Sequence, residues 1–238
     1  FAFIPQFTDF VVGFARAERH PYDLVHANFF MSGMVAAEMK RLLGIPFVVT
    51  FHALGRVRRL HQGEADGFPD ERFVAEDRIV AEADRVIAEC PQEHEDLVAL
   101  YRADPAKLAI IPCGFDTGEL WPVARPLARA ALGIPVGERV VLQVTRMVPR
   151  KGVETTIRGF ARMIEPEPAP ARLLIAGGET DEPDHVATPE IAHLQAIANE
   201  LGIADRVHFA GRCARADLKI YYGAADVFVT VPWYEPFG

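Results

Sequence analysis

The stretch VVLQVTRMVPRKG, Val140 to Gly152, decides how the chain is read. It opens on an apolar run rich in β-branched residues, Val140 to Val144, of the kind a buried parallel strand shows. The polarity then changes abruptly. Arg146 follows the run, Pro149 prevents the strand from continuing, and Lys151-Gly152 leads into a helical pattern. Two cations at the carboxyl end of a strand and the start of a helix form an anion site. The helix start adds unpaired N–H groups and the positive end of its dipole. Alone, the stretch also reads as a solvated basic turn. In its surroundings a diphosphate is the natural guest.

Outward from this stretch, strand and helix alternate in both directions. On the N-terminal side a helix from Phe3 to Arg19 carries Phe3, Phe7, Phe10, Val11 and Phe14 on one stripe, read as core. Strands follow at Asp23–Ala27, Pro46–Phe51, Arg85–Ala88 and Leu108–Pro112, with helices at Ser32–Leu43, Glu71–Ala83 and Gln92–Tyr101. The charged segment Arg56 to Asp70 reads as a loop because of its Gly and Pro content. On the C-terminal side the helices are Val153–Ile164, Pro189–Leu201 and Ala214–Tyr222, after a Pro-rich turn at Glu165–Pro170. The strands there are Val140–Thr145, Leu173–Ala176, Val207–Ala210 and Val227–Val231. This alternation is the signature of an α/β fold with doubly wound parallel sheets. Glycines and prolines crowd residues 116–137, which read as a linker with a short helix near Leu127–Leu132. The expectation is two Rossmann-like domains, 1–115 and 138–238, both incomplete. The chain opens at Phe1 inside an amphipathic pattern and stops just past an apolar strand, so it reads as an internal fragment.

Composition narrows the function classes. Of 238 residues, 25 are Lys or Arg and 33 Asp or Glu, a formal charge of −8, which argues against a nucleic-acid partner. Any anionic ligand must be held by a local cluster. No apolar run reaches the length of a transmembrane segment and no signal peptide is evident. Cys90, Cys113 and Cys213 fit no zinc spacing and no disulfide framework, which suits a reducing, cytoplasmic setting.

Open α/β sheets bind ligands at the carboxyl ends of their strands. The polar residues expected there are His26, His52, Arg146 with Lys151, Gly177-Gly178, Gly211-Arg212 and Glu235. They fall at successive strand ends, a pattern compatible with one crevice between the domains.

These residues carry a family likeness. Arg146 with Lys151-Gly152, the LLIAGG of Leu173–Gly178, the Phe209-Ala-Gly211 turn, the strand from Ala225 to Val229 and the terminal Glu235-Pro-Phe-Gly238 resemble retaining glycosyltransferases with two Rossmann domains, the GT-B fold. Val25-His-Ala-Asn28, Met31-Ser-Gly33 and Thr50-Phe-His-Ala-Leu-Gly55 are similar to the clade of sucrose-phosphate synthase, sucrose synthase and the transferase that begins mycothiol synthesis.

The resemblance implies a transfer of a hexosyl group from a nucleotide-diphosphate sugar, UDP-linked, to a small sugar, sugar phosphate, cyclitol or glycan. No cofactor and no metal is implied. Arg146 and Lys151 would grip the donor diphosphate and stabilise charge on the leaving nucleotide. Glu235 would accept hydrogen bonds from donor-sugar hydroxyls. The backbone near Gly211 and Arg212 would meet the base, and Gly177 and Gly178 would let the main chain approach the ligand. His52 would lie beside the reacting carbon in the acceptor cleft, with His26 and Asn28 on the acceptor side. Asn28 stands where the family often has a second His. His61 reads as solvated; the alternative reading sets it with Arg58 and Arg59 against an anionic acceptor. Asp116 reads as holding a hinge turn. An epimerase or phosphorylase on the same fold, or a non-catalytic sugar-nucleotide binder, are the alternatives.

Overall fold

The computed structural model describes residues 1–165 and 170–235. The chain divides into two compact units, the first Phe1–Gly114 together with Glu235, the last described residue, and the second Phe115–Tyr234. The core of each unit is a four-stranded, wholly parallel sheet.

In the first unit the strands β1 (Val25–Asn28), β2 (Phe47–Thr50), β3 (Arg85–Ala88) and β4 (Leu108–Ile110) lie side by side in chain order. Parallel neighbours need crossovers, and helices supply them. These are α2 (Phe29–Leu43) between β1 and β2, α3 (Gly55–Gln62) and α4 (Glu71–Glu82) between β2 and β3, and α5 (Pro91–Tyr101) between β3 and β4. Phe30, Phe47, Val49, Phe51, Ile79, Val86 and Leu97 fill the core. Gly33 lets α2 approach α4, since a Cβ there would lie 2.9 Å from Ile79 Cδ1. Gly44, at φ 72°, ends α2 with its N–H on Lys40 O.

Two expectations for this unit are corrected. The helix α1 (Ile4–Ala17) forms, but its Phe stripe is not core: Phe3, Phe7, Phe10 and Phe14 are all exposed, at 50–81 %. The helix docks on α2 through Val12, against Val35 and Met39, with Ile4, Val11 and Ala15 alongside. Thr8, which a stripe reading passes over, is buried and donates to Ile4 O. The charged segment from Arg56 to Asp70 is a loop only in its last residues, because its first part is helical. That part folds as α3 because its arginines are tied down. Arg56 makes a two-pronged pair with Asp77 and lies over the Tyr101 and Phe73 rings. Arg58 and Arg59 both reach the buried Asp66, and Gly63 closes the helix.

In the second unit the order is β7-β6-β5-β8, from β5 (Arg139–Val144), β6 (Ala171–Ala176), β7 (Val207–Phe209) and β8 (Val227–Phe228). The β5 run alternates between two cores. Val141 joins one with α7 (Val153–Ile164) and α8 (Pro189–Glu200), whereas Val140 and Leu142 join the other with α6 (Arg125–Ala131) and α9 (Leu218–Ala224). Successive residues on a strand point to opposite faces, so a continuous apolar run is what a sheet covered on both sides requires.

The glycine- and proline-rich segment read as a linker belongs in large part to this second core. Ala128 and Ile134 are buried in it. Arg129, 4 % exposed, donates to Ala224 O, Val136 O and the Asp226 carboxylate, which also receives Val140 N–H. Asp116 holds its turn by accepting the Gly118 N–H at 2.7 Å. The Pro-rich turn expected at Glu165–Pro170 falls mostly outside the described residues.

Candidate active site

In the second unit β6 and β8 flank β5, and the strand order reverses there. Such a switch point leaves a crevice at the carboxyl ends of the strands because the two adjoining connections run to opposite faces. The two loops that leave those ends are Thr145–Gly152 and Val229–Tyr234, and they are knit together. Trp233 N–H donates to Arg150 O at 2.8 Å, and the Arg150 guanidinium lies 5.3 Å over the Tyr234 ring. Gly152, at φ 69°, sits so close to the second loop that a Cβ would lie 2.1 Å from Val231 O. Only glycine fits both the backbone angle and the contact.

Within the first loop a 3-10 turn, Pro149–Lys151, precedes α7. The Lys151 carbonyl accepts from Gln143 Nε2 at 3.1 Å, so a buried side chain of β5 holds the base of this turn. Arg146 is exposed and makes no ion pair among the described residues. The two cations thus occupy the loop after β5, above the start of a 12-residue helix.

Of the other glycines expected at this end, Gly177 and Gly211 perform backbone packing. A Cβ on Gly177 (φ 150°) would lie 1.8 Å from Thr145 O, and Gly177 N–H donates to Gly211 O at 2.7 Å. Gly211 (φ 73°) lies under Asp181 O in the same way. Gly178, at φ 127°, has Thr188 Oγ1 at 3.5 Å from its notional Cβ. Arg212 pairs with Asp181 at 2.9 Å, and its backbone N–H donates to Thr180 O. Glu235 is exposed, and Pro236 to Gly238 of its motif lie outside the described residues.

In the first unit the carboxyl ends of all four strands contribute to a polar row. Asn28 ends β1, His52 lies two residues past β2, Glu89 follows β3 and Cys113 lies three past β4. His52 Nδ1 is 2.8 Å from Glu89 Oε1, and His52 Nε2 is 2.8 Å from Asn28 Oδ1. The Cys113 thiol donates to the same Glu89 Oε1 at 2.7 Å. The Glu89 side chain is 1 % exposed, whereas that of His52 is 35 % exposed. His52 takes the left-handed region, φ 59°, which turns the chain sharply after β2. His26 is exposed and its Nε2 meets Thr50 Oγ1 at 2.9 Å, so it stands beside this row rather than in it.

The ligand-type atoms of His52, Glu89 and Cys113 lie within 4.8 Å of one another. Their contacts of 2.7 and 2.8 Å are hydrogen-bond lengths. Ligands around a tetrahedral zinc stand further apart, roughly 3.3–3.5 Å, given metal–ligand bonds of about 2.0–2.3 Å.

Beneath the row lies a second set of buried charges. Arg72 and Glu76 on α4 are both fully buried and paired at 2.7 Å. Glu76 receives Gly55 N–H and the Tyr101 hydroxyl, and Arg72 is enclosed by the rings of Phe29, Phe30 and Phe68. Burial beside Glu76 pushes the Tyr101 hydroxyl far above its usual range. Gly55 has no room for a side chain, because a Cβ would lie 2.9 Å from Arg72 Nε and from Glu76 Oε2. The segment from His52 to Gly55 is therefore clamped from below. Glu93, in the first turn of α5, accepts Glu89 N–H at 2.6 Å, and burial raises its carboxyl to about 7.

Sequence reasoning found His52 and Asn28 but missed Glu89, Cys113, Glu93 and the Arg72–Glu76 pair. The signal for Glu89 was present. It is the first residue after β3, the same position in a strand end that singled out the histidines.

Residues 1–114 match the family described as glycosyl transferase 4-like domain, and residues 124–238 the family described as glycosyl transferases group 1. The chain is 36 % identical over 222 residues to a D-inositol 3-phosphate glycosyltransferase of Catenulispora acidiphila, covering 91 % of this chain and 51 % of that protein. It is also 36 % identical over 241 residues to one from Actinosynnema mirum, covering 98 % and 57 %. The structure of sucrose-phosphate synthase from Thermosynechococcus elongatus superposes with a TM-score of 0.81 at 31 % identity, over 99 % of this chain and 56 % of that one. Anabaena HepE in complex with UDP and glucose shares the fold, with a TM-score of 0.74 at 20 % identity over 99 % of this chain and 57 % of its own. The chain spans about half the length of the curated relatives it matches. Two parallel-sheet units, with the two family matches falling one on each, make the chain a member of the GT-B-fold glycosyltransferases that join a glycosyl transferase 4-like domain to a group 1 domain.

Proposed function

We propose that the protein is a retaining hexosyltransferase that takes its sugar from a nucleotide diphosphate, UDP-linked, and passes it to a hydroxyl of a sugar or cyclitol phosphate. The observation that carries this reading is the cation-bearing loop at the β5/β8 switch point. Cleaving a glycosyl–phosphate bond places negative charge on the departing phosphate. Fixed cations and helix N–H groups at that point act mostly in the transition state, which is what lowers a barrier. Arg146 and Lys151 are assigned that task. The tight packing of Gly152 on Val231 and of Gly177 on Thr145 supports the assignment, because it holds the loops in place before charge develops.

Glu235 is assigned to the donor-sugar hydroxyls, for which an ionised carboxylate offers acceptors only. Gly178, with the Gly211–Arg212 backbone, is assigned to the nucleotide. In the first unit His52 is assigned to a sugar hydroxyl near the reacting carbon, and Asn28 and His26 to the acceptor. The acceptor class is supported by the relatives' names, inositol 3-phosphate and sucrose-phosphate enzymes both handling a phosphorylated polyol or sugar. No metal or cofactor enters this scheme. No helix among the described residues is long and apolar enough to cross a membrane, which is compatible with a cytoplasmic enzyme.

The test is product analysis with the full-length protein, UDP-sugars and a panel of phosphorylated and free acceptors. A glycosylated phosphorylated acceptor, formed together with UDP, is the expected result. Release of UDP with epimerised free sugar, or donor binding without turnover, would replace the reading.

A further inference from the structure

Both ring nitrogens of His52 are engaged, and one of the two contacts is chemically unambiguous. An ionised carboxylate only accepts, so Glu89 Oε1 at 2.8 Å requires the proton on Nδ1. Glu89 lies in a fixed place. Its side chain is 1 % exposed, its backbone N–H is held by Glu93 at 2.6 Å, and its Oε1 also receives the Cys113 thiol. Its Oε2 is buried with no hydrogen-bond partner among the described residues, so both side-chain partners of the carboxylate, His52 and Cys113, meet it at Oε1. Asn28 is different. Its amide is exposed and its two ends can exchange by rotation, so it can donate to Nε2 or yield that position to a ligand.

We propose that Glu89 is the positioning residue of His52: the buried carboxylate fixes the Nδ1–H tautomer and presents Nε2 beside Asn28 to a ligand hydroxyl. The proposal rests on the transferase reading for the identity of that ligand, a sugar hydroxyl, but its geometry stands on the first unit alone. The arrangement follows the rule that the group on one imidazole nitrogen sets the chemistry of the other. Neither Glu89 nor Cys113 touches the ligand in this scheme. Cys113 supplies a second donor to Oε1 and so helps to hold the carboxylate in place.

The experiment is the ring-nitrogen NMR spectrum of His52 in the full-length protein, wild type and Glu89→Gln, with kinetics on both. In the wild type Nδ1 carries a proton. In Glu89→Gln, which keeps the shape but loses the charge, the ring redistributes toward the Nε2–H tautomer. Accompanying this, kcat falls about tenfold to a hundredfold, the loss of one charge-assisted hydrogen bond. KM for the sugar nucleotide and the thermal shift on adding UDP stay unchanged. A wild-type His52 with a bare Nδ1 overturns the proposal without need of the variant, which covers the case that Glu89→Gln fails to fold. A shifted tautomer with unaltered kcat also overturns it. If the wild-type enzyme transfers no sugar but the tautomer responds as stated, the functional reading fails while the positioning of His52 stands.

Discussion

The two units reach the same end by opposite means. In the second unit the strand-end site is made of main chain: glycines at Gly152, Gly177 and Gly211 allow carbonyls to approach where any side chain would collide, and the cations are mounted on the resulting loop. In the first unit the strand-end row is made of side chains, with buried carboxylates at Glu76, Glu89 and Glu93 ordering what lies above them. A diphosphate brings its own charge and asks for fixed donors, which loops and a helix start provide. A neutral hydroxyl offers little charge to grip, so the group that meets it must be oriented from behind. The comparison predicts that substitutions in the two units fail differently, through lost anion binding in one and through lost support in the other.

The largest expected effect lies in the first unit's buried pair. Arg72→Met removes one partner of a fully buried ion pair and leaves the Glu76 carboxyl without its cation, which costs about 3–5 kcal/mol. Chemical denaturation should show this as an early loss of the first unit's structure, with UDP binding by the remaining folded protein retained. An unchanged unfolding curve would break the contrast.

Lys151→Ala comes next and should act in the other way. It removes about 3 kcal/mol of transition-state stabilisation, by analogy with the loss of one oxyanion donor, while the melting temperature stays near that of the wild type. Turnover at the wild-type rate would remove Lys151 from the mechanism.

Glu93→Gln probes the support from pH. The carboxyl is raised from 4.5 to about 7 in the fold, mainly by burial. The folded state therefore holds a proton more tightly than the unfolded chain. Its stabilising contribution is complete below about pH 4.5 and is lost as pH rises through about 7, reaching roughly 3 kcal/mol across that window. Glutamine has no proton to lose. The stability of the variant relative to wild type should rise from about pH 5 to about pH 7 and then level off. A difference independent of pH would show that Glu93 ionises freely in the fold.

The fold was legible in the sequence to within a residue or two at most strands, because buried parallel strands are apolar on both faces and glycine or proline marks their ends. The failures have physical causes. Arg56 to Gln62 lacks an apolar stripe and is helical because arginines pair with Asp66 and Asp77, partners outside the helix itself. Residues 116–137 read as a linker with a short helix near Leu127–Leu132; the helix is there as α6, but composition hides Arg129, whose bonds run to a strand end almost a hundred residues away and tie the segment to the second core. At the candidate site, residues with a chemical reputation stood out, His52 and Lys151 among them. Glu89 did not, since a lone glutamate after a strand carries no motif, and only the parallel register brings β2 and β3 together.

The smallest expected effect sharpens the first-unit side. The Glu89 carboxylate, through its hydrogen bond, pushes the exposed Cys113 thiol up. Removing the charge in Glu89→Gln should lower it, giving more thiolate and several-fold faster alkylation at mildly alkaline pH. An unaltered rate would separate Cys113 from the row.

The most direct test of the central claim compares UDP with uridine by calorimetric titration, in wild type and in Arg146→Ala/Lys151→Ala. If the loop after β5 holds the diphosphate, the wild type binds UDP far more tightly than uridine, and the double variant binds the two nearly alike. A preference for UDP that survives both substitutions would place the diphosphate elsewhere and contradict the account.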